Sequence, residues 1–455
     1  MDLKVPSDSN STLAKGPVKR LFWQYTLPAV AGMLVNGLYS TIDGIFIGRS
    51  VGAEGLAAMN LAWPIFGFII GIGMMIGMGA SAHCSICRGQ GKDEKARFVL
   101  GNATVLMIGA SLFLTVAILL GGEYVLKLMG ANGSLLHMAN HYLHLISFGS
   151  AAAIAGAALP MMVRNDERPR LATVIIATGA ITNIVLDYIF IILLDLGIAG
   201  AAIATIIAQT VTAIWSLIYL FSTKARLRIK TRHFGVSPGL YKIILATGFP
   251  SLTMFIYLSF VLAVHNRLFL EYGSVLSLAA FTIVGYIQAV YYMVAEGVAS
   301  GAQPLISFNH GANNNKNIHI TIKLAITTAL ISGVLTVLVI NIFPEQIASI
   351  FNASNNELIN ETARGFRLHL FSMYLDGFIV VAAAYFQALA RAKIATWITL
   401  GNMLIQVPLL IILPEWLGVT GVWVALPLSN IFLALVVAGL IQQDLKQRPA
   451  SANIS

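Results

Sequence analysis

Long apolar segments alternate with short polar segments along nearly all of this 455-residue chain. A membrane-spanning helix needs about 20 predominantly apolar residues, and hydropathy predicts twelve such segments here. Residues 1–20 and those after Gln442 are polar, so we expect short tails at both ends. The predicted spans are 22–47, 55–80, 96–120, 136–162, 171–194, 197–222, 240–268, 275–304, 319–343, 364–389, 394–413 and 417–441.

The polar segments between these spans differ in charge. Of the 28 Lys and Arg residues, 23 lie in the N-terminal tail, the even-numbered loops and the C-terminal tail. Lys and Arg concentrate in the cytoplasmic loops of membrane proteins. We therefore predict that both termini are cytoplasmic and that the protein spans the inner (plasma) membrane several times. The first apolar run is too long for the core of a cleavable signal peptide.

An internal repeat divides the twelve predicted spans into two halves of six. GMGASAHCSICRGQG (77–91) aligns with GVASGAQPLISFNHG (297–311) at an offset of 220, and RPRLAT (168–173) with RAKIAT (391–396) at 223. Six is an even number, so both copies enter the membrane from the same side and the repeats are parallel. The predicted fold is an all-α polytopic membrane protein, with two parallel six-helix lobes around a central cavity.

The repeat also predicts domain boundaries. A run rich in Lys and Arg at 223–239, here called the basic linker, separates the two halves. The predicted parts are a cytoplasmic N-terminal tail at 1–20, an N-lobe at 21–222, the basic linker, a C-lobe at 240–442 and a cytoplasmic C-terminal tail at 443–455.

Composition narrows the function. Hydrophobic residues make up 57% of the chain and charged residues only 10%, whereas soluble domains have about 25% charged residues. The formal net charge of +9 follows from the basic loops, so we expect the lipid bilayer and no nucleic acid as a partner. The sequence lacks a phosphate-binding G-x-x-x-x-G-K-[ST] run and any nucleophile–base signature. We expect a monomeric transporter rather than an enzyme, with no cofactor and no metal site.

Glycines are concentrated in the second predicted span. Gly67, Gly71, Gly73, Gly77 and Gly79 form two overlapping ridges in which small residues recur every fourth position. Such ridges let helices approach closely in lipid. We interpret them as packing surfaces.

Buried acidic residues are the strongest functional signal. Only four of the 19 acidic residues lie well inside predicted spans, namely Asp43, Asp187, Glu296 and Asp376. A carboxylate at the centre of a spanning helix costs about 2.5–3.5 kcal/mol on insertion scales, so its default interpretation is functional.

Three predicted helices of the first half carry polar side chains at helical spacing. These are Asn36, Tyr39 and Asp43 in the first span, Asn183 and Asp187 in the fifth, and Thr205 and Gln209 in the sixth. If these faces converge, the set can hold a proton shared between two acids or supply the oxygen ligands of a hard cation. The alternative is a buried hydrogen-bond network that only holds helices together.

Pro28 lies in the same helix as Asp43. A proline inside a helix removes a hydrogen bond and permits a bend. Fifteen residues separate Pro28 from Asp43, which is about 22 Å along a straight helix. Pro28 therefore predicts bending of the first helix rather than contact with the site.

Three motifs resemble the multidrug and toxic compound extrusion (MATE) family. They are LPAVAGMLVNGLYSTIDGIFIG in the first span, ITNIVLDYIF in the fifth and GAQPLISFNHGANNNK at the end of the eighth. The resemblance implies a twelve-helix, two-lobe antiporter that exports organic cations in exchange for protons or sodium. In the branches that bind the ion in the N-terminal lobe, the site residues map onto Asp43, Asn183, Asp187 and Thr205.

Another branch of the family pairs a tenth-helix aspartate with a seventh-helix glutamate. Asp376 lies in the tenth span, but the seventh, FPSLTMFIYLSFVLAV, contains no acid. This departure weakens a second ion site, and we interpret Asp376 as a counter-charge for a cationic substrate. Asn36, Tyr39 and Gln209 are weaker candidates for the substrate cavity.

The sequence therefore predicts a secondary antiporter that exports cationic and amphipathic drugs by alternating access. The coupling ion is a proton, with sodium as the alternative. One rival function is a lipid-linked oligosaccharide flippase of the same superfamily, which should need a cationic cavity for pyrophosphate. A second rival is a channel or structural subunit that depends on a partner for energy.

Overall fold

The computed structural model describes residues 12–351 and 355–449, and these residues form helices and no strand. The predicted tails at 1–11 and 450–455 lie outside the described residues. In chain order the helices are α1 (Thr12–Lys15), α2 (Val18–Ser50), α3 (Ala53–Gly89), α4 (Asp93–Leu128), α5 (Gly133–Phe148), α6 (Ser150–Asn165), α7 (Pro169–Asp187), α8 (Gly197–Phe221), α9 (Pro238–Tyr272), α10 (Val275–Gly311), α11 (Asn315–Ile342), α12 (Pro344–Phe351), α13 (Asn356–His369), α14 (Met373–Ala388), α15 (Ala392–Leu417) and α16 (Val419–Gln447).

Ten of the described helices are long and apolar enough to cross a membrane. Two further spans are broken: α5 and α6 meet at 57°, and α13 and α14 meet at 49°. If each bent pair is one span, the described residues contain twelve spans, one at each predicted position. The prediction of an all-α polytopic fold with twelve spans is confirmed.

Most helices are longer than the predicted spans. The third span, predicted at 96–120, is the helix Asp93–Leu128, and the first, predicted at 22–47, is Val18–Ser50. Hydropathy finds only the part of a helix that lies in hydrocarbon. Charged residues such as Asp93 and Glu94 continue the helix beyond that layer, at the N-terminal end where acidic groups stabilise it.

The described chain forms two compact units. Unit 1 contains Ala31–Phe255, Ser307–Asn313 and the described N-terminal residues up to Gly16. Unit 2 contains Pro17–Val30, Ile256–Ile306 and the described residues from Asn314 onward. The helix α2 passes from unit 2 to unit 1 between Val30 and Ala31, three residues after Pro28. The predicted lobe boundaries remain a prediction.

In unit 1, the glycines of α3 form two packing ridges, as predicted. A Cβ at Gly73 would lie 2.8 Å from the carbonyl oxygen of Ile154, and a Cβ at Gly77 would lie 2.8 Å from the Cα of Ala158; both neighbours belong to the backbone of α6. A Cβ at Gly79 would lie 2.0 Å from the carbonyl oxygen of Ile244 in α9. These contacts leave no room for a side chain, so α3 is held closely between two neighbouring helices.

The basic linker is part of unit 1 and is held by buried acidic residues. Asp166, between α6 and α7, accepts hydrogen bonds from Tyr219 Oη at 2.6 Å and from the backbone nitrogens of Arg226 and Leu227 at 2.9 and 2.7 Å. Beside it, the Glu167 carboxylate accepts a hydrogen bond from Arg88 Nη2 at 2.5 Å. A single buried aspartate thus joins the ends of α6 and α8 to the linker.

Replacing Tyr219 by Phe will lower the thermal stability of the purified protein. The change removes a hydrogen bond to a buried carboxylate, and such a bond contributes about 1.5–3 kcal/mol. Thermal unfolding in detergent, followed by tryptophan fluorescence, measures the loss. Tyr124→Phe is the control, because its ring is 67% exposed on α4. Equal melting temperatures for the two variants would contradict the assigned role of Asp166.

Unit 2 contains an aromatic core and a close helix contact. The Phe269 and Trp423 rings lie 4.4 Å apart between centroids, joining α9 to α16. A Cβ at Gly297 of α10 would lie 2.5 Å from the Cα of Val30, and one at Gly301 would lie 2.6 Å from the Cα of Thr26. These two glycines therefore hold α10 against the first part of α2, on either side of Pro28 along the sequence.

Candidate functional site

The second part of α2 brings one buried carboxylate into unit 1. Asp43 is 4% exposed, and Tyr39 and Asn36 precede it by one and two helical turns. The helix is continuous from Val18 to Ser50 and contains Pro28, which lies 15 residues before Asp43. The carboxylate is thus held on a regular helix inside a polar face.

A second carboxylate lies at a change of helix type. Asp187 is the last residue of α7, and the chain continues as a π-helical turn over Tyr188–Leu193. Asn183, one turn before Asp187, is 1% exposed and Asp187 is fully buried. Single π-helical turns inside helices occur frequently at functional sites. Here the wider turn begins directly after the acid.

Side chains of α8 meet these residues. Asn183 Nδ2 is 3.5 Å from Thr205 Oγ1, at the outer limit of a hydrogen bond. Gln209, one turn after Thr205, forms a side-chain hydrogen bond with Tyr39 of α2. The polar faces of α2, α7 and α8 therefore converge in unit 1, as their spacing requires.

A small cavity of about 40 Å³ lies at this point. About 10–15 Å³ on this measure holds one water, so the cavity has room for about three waters or for a small hydrated cation. The lining includes five of the eight predicted ion-site and substrate-cavity residues: Asn36, Tyr39, Asn183, Thr205 and Gln209. Asp43 and Asp187 are buried one turn from the lining residues Tyr39 and Asn183.

The buried carboxylates lack protein hydrogen-bond donors. Among the described residues, both carboxylate oxygens of Asp187 and Oδ1 of Asp43 have no hydrogen-bond partner, and neither does Oδ1 of Asn183. The two acids also repel each other electrostatically. Unsatisfied buried oxygens are costly, and two ionised acids in close proximity are unfavourable. The arrangement is suited to bind a proton or a hard cation.

Apolar side chains close one end of the site. Ile47, Ile191 and Ala201 are fully buried and pack together. Each lies one helical turn from a site residue, at four positions from Asp43, Asp187 and Thr205 respectively. This cluster keeps water away from one side of the carboxylates.

Several residues near the site were not predicted from the sequence, and Tyr142 and Gly156 are two of them. Tyr142 of α5 is 3% exposed and interacts electrostatically with Asp43 and Asp187. Gly156 of α6 lines the cavity, and a Cβ there would lie 2.1 Å from Gln209 Oε1. Tyrosine and glycine in apolar spans carry no distinctive signal by themselves. Only the packing of α5 and α6 beside α8 gives them a role.

Asp376 lies in unit 2, in α14. It follows the bend between α13 and α14, is partly buried, and forms side-chain hydrogen bonds with Gln288 and Asn430. Asn430 in turn accepts a hydrogen bond from Asn402 at 3.1 Å. Asp376 is thus held by amides, and its assignment as a substrate counter-charge stays a prediction.

The two halves of the chain match one family. A sequence model of the MatE family matches residues 28–189 and again residues 250–412. The chain belongs to the MatE family. The second match begins 222 residues after the first, in agreement with the repeat offsets of 220–223 in the sequence. Both matches begin at a proline, Pro28 of α2 and Pro250 of α9.

Relatives of known name support this assignment. The multidrug export protein MepA of Staphylococcus aureus (strain MSSA476) is 23% identical over 434 residues, which are 95% of each chain. Crystal structures of a MATE in a bent and in a straight conformation are each 25% identical to this MatE protein. Each covers 96% of this chain, and this chain covers 97% and 98% of theirs, with TM-scores of 0.89 and 0.90.

The family resemblance of the three motifs is therefore confirmed. The protein is a multi-pass membrane protein of a transporter family. The roles of the individual site residues, the coupling ion, the substrates and the orientation of the termini remain predictions.

Proposed function

We propose that this protein exports organic cations and amphipathic drugs in exchange for protons, by an alternating-access mechanism. It lies in the inner (plasma) membrane with both termini in the cytoplasm. The relative MepA carries the name multidrug export protein, which supports drugs as the substrate class. The protein works as a monomer and needs no cofactor beyond the coupling ion, since the gradient supplies the energy.

The buried acids of unit 1 carry this proposal. Asp43 and Asp187 lie beside a polar cavity, and no described Lys or Arg forms an ion pair with either one. A group that can be neutralised only by an external proton or cation senses the gradient directly. An acidic site also argues against the flippase alternative, whose pyrophosphate substrate needs cationic groups.

Protonation and drug binding exclude each other in this mechanism. When Asp43 and Asp187 are ionised, they favour the entrance of an organic cation. Once the drug has left, protons from outside neutralise the acids and remove the charge that would recapture it. Asn183 and Thr205 orient the site, and Asn36, Tyr39 and Gln209 extend it toward the substrate. Sodium is the alternative ion, because the same oxygens can ligate it.

Bending of the first helix at Pro28 connects this site to the transport cycle in our proposal. Pro17–Val30 belongs to unit 2 and Ala31–Phe255 to unit 1, so a bend near Pro28 would change the position of Asp43. The bent and straight conformations of a MATE structure support two states for this fold. Structures at low and high pH with identical first helices would exclude the bend.

An imposed pH gradient will drive ethidium movement in proteoliposomes that contain only this protein. The reason is that proton binding to Asp43 and Asp187 competes with the cationic drug. The measurement follows ethidium fluorescence in vesicles with a pH gradient, and separately with a sodium gradient at constant pH. A channel or a subunit that needs a partner will not concentrate ethidium under either gradient.

The outcomes separate the hypotheses. Accumulation of ethidium that is driven by the pH gradient alone supports proton exchange. Concentration driven by sodium alone shows that the coupling ion is sodium. No concentration with either gradient contradicts antiport itself. Vesicles treated with a proton-exchanging ionophore serve as the control, because they keep the protein and lose the gradient.

A further inference from the structure

A second and much larger cavity opens on the side of unit 1. It is a groove of about 470 Å³, within the range of about 300–1,000 Å³ typical of ligand sites, and its wall is apolar. We call it the α3–α4–α9 groove. Its lining consists of Ile72, Met75 and Ile76 of α3, Val105, Leu106, Gly109, Ala110 and Phe113 of α4, Val236, and Tyr241 and Leu245 of α9.

The groove lies beside exposed apolar side chains of α4. Ile108, Leu112 and Phe113 of α4 are 63%, 66% and 72% exposed, as expected for side chains that lie in hydrocarbon. From Val105 to Phe113 the groove extends about 12 Å along α4. An apolar groove of this length next to lipid-facing side chains suits a hydrocarbon chain.

The groove ends where the basic linker crosses α4. The carbonyl oxygen of His233 lies 2.2 Å from the position of a Cβ at Gly101, so the linker lies directly on the helix. Tyr241 Oη donates a hydrogen bond to the Gly235 carbonyl at 2.9 Å, which fixes the linker over the end of the groove. The groove is therefore open toward lipid and closed by polar backbone at this end.

Basic residues flank this closed end along the chain. Arg97 and Arg232 share one carboxylate, that of Glu94, at 2.8 and 2.6 Å. Lys230 lies two residues before Arg232, and Lys242 follows Tyr241; both are exposed. We call Arg97, Lys230, Arg232 and Lys242 the basic collar. Arg97 and Arg232 together exceed the charge of the Glu94 carboxylate that they share, and the exposed Lys230 and Lys242 add two further positive charges.

We propose that the α3–α4–α9 groove binds one acyl chain of an anionic phospholipid whose phosphate lies on the basic collar. The groove supplies apolar contact for the chain, and the collar supplies the charge that selects the headgroup. Basic clusters at the ends of spanning helices attract anionic lipids, with each cation contributing. A cationic drug fits this place poorly, because the collar repels it.

Two variants of α4 test the groove. Gly109→Phe places a ring in the groove, and Gly121→Phe is the matched control on the same helix. No atom lies within 4 Å of a Cβ at either glycine, so both variants are expected to fold. Native mass spectrometry of the purified full-length protein counts bound phosphatidylglycerol. We expect wild type and Gly121→Phe to retain one tightly bound lipid, and Gly109→Phe to lose it.

Charge variants test the collar. Lys230→Gln and Lys242→Gln should each weaken phosphatidylglycerol binding by about fivefold, without changing the weak binding of phosphatidylcholine with the same acyl chains. Lys127→Gln, at the opposite end of α4, should have no effect on either lipid.

Three results would overturn the proposal. Equal binding of phosphatidylglycerol and phosphatidylcholine to wild type would remove the role of the collar. Wild-type lipid binding by Gly109→Phe would show that the lipid lies elsewhere. Ethidium binding that Gly109→Phe abolishes, while phosphatidylglycerol stays bound, would assign the groove to a drug instead.

Discussion

Asp43→Asn will abolish gradient-driven ethidium export while the protein remains folded in the membrane. Asparagine has nearly the same size as aspartate, so the packing of α2 in unit 1 is kept. It cannot carry the charge that attracts a cation or take up the proton that releases one. Because Asp43 Oδ1 has no hydrogen-bond partner among the described residues, the change breaks no hydrogen bond at that atom. We expect transport to fall to the level of protein-free vesicles.

The measurement combines ethidium resistance of cells with transport in proteoliposomes, at matched protein amounts. Asp187→Asn should give the same loss, because the two acids form one site. Asp195→Asn is the control, since that carboxylate is exposed beyond the π-helical turn. Full resistance in cells that express Asp43→Asn at the normal level would remove the central residue of the proposed mechanism.

Gly297→Val will also stop transport, and it will do so without touching the carboxylates. A Cβ at Gly297 already lies 2.5 Å from the Cα of Val30, and valine adds two methyl groups in a place with no space. Overpacking of this kind costs about 1–3 kcal/mol and separates α10 from α2 next to Pro28. The first part of α2 then loses its fixed position in unit 2, and the proposed bend at Pro28 would no longer produce a defined movement of Asp43.

Gly285→Val provides the matched control for this experiment. It lies on the same helix, and no atom lies within 4 Å of a Cβ there. Ethidium transport in proteoliposomes should be at least tenfold slower for Gly297→Val, and close to wild type for Gly285→Val. If size-exclusion chromatography shows that both variants fold and both transport at the wild-type rate, the contact between α10 and α2 has no part in the cycle.

The main features of the fold follow from the sequence because the bilayer imposes simple rules. Backbone groups in hydrocarbon must be satisfied within a helix, so twelve apolar segments imply twelve spans. The bends between α5 and α6 and between α13 and α14 do not follow from hydropathy. Hydropathy finds an apolar segment but does not report the direction of the helix axis within it.

The site could be predicted where one helix determines the geometry. Asn183 and Asp187 lie one turn apart on α7, and Thr205 and Gln209 lie one turn apart on α8, so the spacing predicted that each pair shares a helix face. Contacts between helices could not be predicted in this way. Tyr142 and Gly156 reach the site through the packing of α5 and α6, which no local pattern encodes. The π-helical turn after Asp187 was also not predicted, because the apolar run YIFIIL has no distinctive pattern.

The division of α2 between the two units has a mechanical consequence. Thr26 and Val30 are held by α10, and Asp43 is carried by the same continuous helix, about 22 Å beyond Pro28. Because the helix is held at one end and is stiff, a bend of only about 10° at Pro28 would displace Asp43 by about 4 Å. That distance exceeds the length of a hydrogen bond. A small bend of the first helix would therefore be enough to assemble or break the proposed site.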